Sequence, residues 1–187
     1  MKYEEIRDQI TTGSMILCHG TGLISKAIEI SGYWTHVGMA VRLPEYDRLL
    51  LWESTCISDH QDVMMGKVMK GCMLTSLSAR VKDYEGKIAV RILEGWDIPP
   101  ASVLAAVGEY HGRPYEKYLF DLLGAEFNLF NDGKENITSL FCSELYHQTL
   151  QDFGIARKDE LSDSFTPSEL ASYQPEVGRF GDIITLN

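Results

Sequence analysis

The chain has no pair of cysteines spaced C-x-x-C, and its four cysteines stand far apart at 18, 56, 72 and 142. That scatter fits reduced thiols better than a disulfide framework. Neither His19 beside Cys18 nor His60 four residues after Cys56 supplies the paired spacing of a structural zinc site, and H-E-x-x-H is missing. No metal and no cofactor is therefore expected. G-x-x-x-x-G-K-[ST] and G-x-G-x-x-G are absent, so nucleotide phosphates have no cradle, and no G-x-S-x-G elbow presents a serine. Positive charge is scarce: 17 Lys and Arg against 27 Asp and Glu give a net charge of −10. Without a basic patch, such a chain repels phosphate backbones and anionic headgroups, so neither nucleic acid nor stable membrane insertion is expected. No apolar run approaches the roughly 18 residues of a spanning helix. The opening MKYEEIRDQITTG is acidic where a secretory signal needs basic residues, which predicts a cytoplasmic location.

What is present suits one α+β domain over residues 1–187. Hydrophobic residues make up 44% and charged residues 24%, the usual balance of a folded soluble chain. Residues 2–10 predict a short helix, SMILCH (14–19) a buried strand, and 22–31 a glycine-punctuated helix. HVGMAVRL (36–43) and RLLLWEST (48–55) flank Pro44-Glu45-Tyr46-Asp47 and read as a hairpin. Between 57 and 86 the pattern blurs, with GCMLTSL a short strand entering a helix; KIAVRIL (87–93) is a clearer strand. A helix follows over 99–112, then a loop and an aromatic helix from GRPYEKY onward. FCSELYHQTLQDFG reads as an amphipathic helix stopped by Gly154, FTPSELASY as a short helix, and GDIITL as a last strand. Helices interspersed with hairpin-paired strands argue against a doubly wound parallel sheet.

The chemistry turns on Cys142, at the entry to its helix. Unpaired N–H groups at a helix start favour a thiolate and can also receive an oxyanion; the alternative is a cysteine that merely fills space, as buried cysteines commonly do. His147, five residues on, is expected on the helix surface, facing away from Cys142. His36 heads a strand, where rigid backbone can aim an imidazole, although a histidine there can also simply cap a sheet edge. A four-residue turn sets Leu43 opposite Arg48, Gly38 opposite Glu53 and His36 opposite Thr55. His36 and Glu53 then become diagonal neighbours on one face, within reach of a hydrogen bond that would orient the ring. The rival reading of Glu53 is a solvated strand carboxylate, which the apolar Leu49 to Trp52 beside it make harder to accept.

TGSMILCHGTGLISKAIEISGYWTHVGMAV, LLLWEST, GRPYEKY, LFCSELYHQTLQDFGI and FTPSELA, in that order, resemble the YiiX/YebB-like branch of the NlpC/P60 superfamily, the permuted papain-like enzymes. The resemblance runs from about residue 12 to 172 and is weakest over 57–86. It implies a circularly permuted papain-like fold, with an antiparallel sheet packed against helices and the histidine strand preceding the cysteine helix. It also implies a Cys142-His36-Glu53 triad performing acyl transfer, and a family turn at Pro167. Tyr115 matches an aromatic position of the family and is read as lining the cleft, the alternative being a core tyrosine with its hydroxyl hydrogen-bonded, and Trp34 and Thr35 are placed to shape the mouth. The implied activity is a cysteine hydrolase cleaving an amide of a small peptide, with a recycled cell-wall peptide the better-placed substrate inside a cell. Lipid acyltransferases or esterases of related fold carry a second histidine where Glu53 stands. A catalytically idle binding module is the third reading.

Overall fold

The computed structural model describes residues 1–20, 32–114 and 141–186. Its centre is a six-stranded sheet in the order β4-β3-β2-β1-β5-β8, antiparallel throughout. The strands are β1 (Met15–Gly20), β2 (His36–Leu43), β3 (Arg48–Thr55), β4 (Gly71–Ser76), β5 (Gly86–Arg91) and β8 (Ile184–Leu186). A separate ladder joins β6 (Leu93–Glu94) to β7 (Arg179–Phe180). The fold is thus α+β, as expected. The expected helix over 22–31 and the aromatic helix after GRPYEKY, with Tyr115, lie outside the described residues.

The hairpin forms where its sequence puts it. Pro44–Tyr46 makes a single 3-10 turn, and Asp47 closes it with φ 47° and ψ 42°, a left-handed conformation that Asp tolerates better than most residues. The pairing begins with Leu43 opposite Arg48 and continues to Met39 opposite Trp52. There the β2–β3 ladder stops, although both strands run on to His36 and Thr55. The expected pairs Gly38–Glu53 and His36–Thr55 are therefore not hydrogen-bonded rungs: the two strands part, and the candidate site occupies the opening.

Strand alternation sends two apolar sets in opposite directions. On one face Ile16, Cys18, Ala40, Leu51, Ile88 and Val90 are covered by α1 (Tyr3–Ile6), Ile10 and α2 (Leu77–Asp83). On the other, Leu17, Val37, Met39, Val41 and Trp52 meet α3 (Pro100–Tyr110), α4 (Cys142–Asp152) and α5 (Pro167–Leu170). Only Arg48 of β3 is exposed, because both faces of that strand are covered. α2 is capped by the Ser76 hydroxyl, which accepts from Ala79 N–H, and α5 by Thr166, which accepts from Glu169 N–H. Within the blurred segment, the Asp62 carboxylate accepts from the N–H groups of Met64, Met65 and Leu74 and pairs with His111 at 3.0 Å. Those bonds tie an otherwise irregular loop to β4 and α3.

α4 corrects the expectation of an amphipathic surface helix. Nearly all of it is buried, including Glu144, His147 and Gln151. His147 does face away from Cys142, but into the interior, where Nε2 meets Glu160 at 3.1 Å and the ring packs on Phe165 and Tyr173. Two buried hydrogen bonds fix the helix: Trp52 Nε1–H to Thr149 Oγ1 at 3.2 Å and Tyr146 O–H to the Gly13 carbonyl at 3.0 Å. Among the described residues, no helix is long and apolar enough to cross a membrane.

Candidate active site

His36, Glu53 and Cys142 come together at the parting of β2 and β3. Glu53 lies on a sheet face where its strand neighbours are apolar, so an ionised carboxylate there requires compensation. His36 Nε2 lies 2.7 Å from Glu53 Oε2, and because a carboxylate can only accept, that nitrogen carries the proton. The other carboxylate oxygen accepts from Thr75 Oγ1 at 3.3 Å and from Arg80 Nη2, whose guanidinium also reaches Ser58 Oγ. Gly38 leaves the space this requires: a Cβ there would stand 3.2 Å from Glu53 Cβ and 2.7 Å from Leu51 Cδ1.

With Nε2 engaged by Glu53, the remaining ring nitrogen of His36 is the one available to the Cys142 sulfur, and the two side chains are hydrogen-bonded. Cys142 is the first residue of α4, and no side chain caps that helix at Phe141. The N–H groups of Ser143 and Val37 point instead at the sulfur. Val37 N–H is free to do so where the β2–β3 ladder has opened.

The electrostatics follow from these contacts. Burial raises the Cys142 thiol, but the adjacent imidazolium and the two N–H donors outweigh it, so its pKa lies below the usual thiol value. Burial opposes the charged form of His36, yet the sulfur and the Glu53 carboxylate overcome this and raise it to about 9. Burial likewise pushes Glu53 up, but His36 and Arg80 bring it down to about 2. All three shifts favour the same state, a thiolate beside an imidazolium, with the carboxylate held between two cations. The other cysteines behave differently: Cys18 and Cys72 are raised mainly by burial, Cys72 to about 12.

Arg80 was not anticipated from the sequence. The available signal was its place three residues after Leu77 on a short helix, a spacing that buries both on one side. Trp34 and Thr35 occupy the approach to His36. Trp34 is buried, and its N–H donates to Ser168 Oγ at 2.8 Å. Thr35 is turned inward, with its hydroxyl joining the Cys18 carbonyl and Gly20 N–H of β1. Pro167 starts α5 after Thr166. Among the described residues, no group of three or more His, Cys, Asp and Glu side chains is arranged to hold a metal ion.

No family model matches the sequence, and no curated protein does. A search of solved structures finds similarity to the crystal structure of metalloprotein YiiX (DUF1105) from Escherichia coli O157:H7. The TM-score is 0.55 at 18% identity, over 96% of this chain and 97% of that one. The protein therefore has a YiiX-like fold.

Proposed function

We propose that the protein is a cysteine hydrolase that cleaves an amide bond of a small peptide, such as one derived from cell wall, through a thioester on Cys142. The observation carrying this reading is the contact chain sulfur–imidazole–carboxylate, with His36 2.7 Å from Glu53 and bonded to Cys142 at the start of α4. The YiiX-like fold is consistent with it, as fold alone.

In the first step the Cys142 thiolate attacks the carbonyl carbon, forming the C–S bond and moving charge onto oxygen. The N–H of Cys142 at the helix start is the candidate to receive that oxyanion. Collapse breaks the C–N bond, and the His36 imidazolium protonates the departing amine. Neutral His36 then takes a proton from water, the resulting hydroxide attacks the thioester, and the acid product leaves as the thiolate is restored. Glu53 holds the ring in position and stabilises its charged form.

Incubation of the purified protein with γ-linked amide peptides and, separately, with labelled lipid esters tests this reading by which bond breaks. Amide cleavage is expected, lost in Cys142→Ala. Iodoacetamide near neutral pH should label Cys142 well before Cys18, Cys56 or Cys72. Ester cleavage alone would support the lipid reading; equal labelling and an active Cys142→Ala would support an idle fold.

A further inference from the structure

A cavity of about 500 Å³, lined by none of the three candidate residues, opens on the sheet face that carries His36 and Glu53. The register places it. His36 stands opposite Cys18, Cys18 opposite Ile88, and Ile88 opposite Leu186, in one row across β2, β1, β5 and β8. Ile88 and Leu186 form its floor. At about 4.8 Å between strands, Ile88 lies about 10 Å from His36 along that row. An extended chain covers that span in about three residues.

The walls are aromatic. Trp34 arrives from the segment leading into β2, Tyr84 from the end of α2, and Tyr33 is stacked on His19 with ring centres 4.2 Å apart. The Tyr84 phenol is within electrostatic reach of Glu53, Arg80 and Cys142, which ties this wall to the candidate site. Over the Tyr33 ring, at 5.8 Å from its centre, sits the Lys87 ammonium. No acidic side chain is among the described residues lining the cavity, and no described carboxylate pairs with Lys87. In a chain of net charge −10, a cavity whose described lining holds a lysine and no carboxylate is a local reversal of sign. Its size falls in the usual range of small-molecule pockets.

We propose that this cavity is the specificity pocket of the enzyme. It takes a short peptide amide whose apolar side chain, about three residues from the scissile carbonyl, lies against Tyr33, Trp34 and Tyr84, and whose free carboxylate pairs with Lys87. The inference rests on the hydrolase reading for the meaning of the scissile bond, but the pocket can be tested without turnover.

The non-cleaving Cys142→Ala variant is titrated by calorimetry with three probes: N-acetyl-Ala-Phe as the free acid, its carboxamide, and N-acetyl-Phe-Glu-amide, which moves the carboxylate to a side chain. The free acid should bind about three- to fivefold more tightly than the carboxamide, the range of a partly exposed ion pair. Adding Lys87→Gln should remove that difference, and Lys87→Glu should reverse it; melting curves check that both variants fold. Tightest binding of the third probe would retain the carboxylate site and assign it to an acidic side chain. Equal affinity for acid and carboxamide, or a preference that survives Lys87→Gln, overturns the proposal. If Lys87 governs binding while the native protein cleaves no amide, the pocket stands and the hydrolase reading falls. If amides are cleaved with no dependence on Lys87, the reverse holds.

Discussion

Glu53 is a buried anion with a cation on each side, and Arg80 is what distinguishes it from a simple triad carboxylate. A carboxylate shared by two cations stays ionised well below its ordinary range, so its hold on His36 does not depend on His36 being charged. Replacing it with Gln removes the charge that supports the imidazolium. In the hydrolase reading, Glu53→Gln should lower kcat about 10²–10⁴-fold. The alkaline limb of kcat/KM, set near pH 9 by His36, should move down towards 6.5, because the ring then loses its proton earlier. A pH–rate profile of both proteins checks the shift. Arg80→Met removes one partner of a buried pair and should destabilise the fold by about 3–5 kcal/mol in urea unfolding. Because Glu53 would be less depressed, the loss of stability between pH 4.5 and 2 should also flatten; Arg80→Lys should restore part of both. Cys142 and His36 could be found from sequence because each sits at the start of a regular element. Arg80 could not, because its partner lies in another strand and its helix begins inside the least patterned segment of the chain.

At the scale of elements, the β2–β3 hairpin was the most legible part of the molecule. Period-2 alternation and a proline-led turn specify its register, and register alone made His36 and Glu53 neighbours. The parting of the strands beyond Met39 was not legible, since no alternation pattern encodes where a ladder ends. Gly38 was its one local sign. Gly38→Ala would bring a methyl group within 3.2 Å of Glu53 Cβ and 2.7 Å of Leu51 Cδ1. The expected result is about 1–3 kcal/mol of destabilisation and, in the hydrolase reading, a fall in kcat, read by urea unfolding and by turnover of the same preparation. α4 misled in the other direction. Its polar residues suggested a wet face, but Gln151 donates to the carbonyls of Arg157 and Glu160, and Glu160 accepts from Tyr173 O–H and meets His147. The polar side is covered by the loop that follows the helix, a long-range fact that helical periodicity cannot carry.

For the whole molecule, His36 and Glu53, two of the three shifted groups of the candidate site, bound a pH window of stability. His36 is raised, so its contribution is complete below about pH 6.5 and is lost as pH climbs through about 9. Glu53 is lowered, so its contribution is complete above about 4.5 and is lost as pH falls through about 2. The melting temperature should therefore lose this support on both sides of roughly pH 4.5–6.5, and in a calorimetric series Glu53→Gln should flatten the acid flank and only weaken the alkaline one, which the Cys142 sulfur also supports. The sheet order also has a temporal side. β2 and β3 adjoin in sequence, whereas Cys142 follows far downstream. At the ordinary pace of a ribosome, the chain between Glu53 and Cys142 takes on the order of 5–20 s to appear. In the hydrolase reading, the nascent polypeptide can thus assemble its base and orienting acid before the Cys142 nucleophile exists, and that sulfur arises only once most of the protein is there to shelter it.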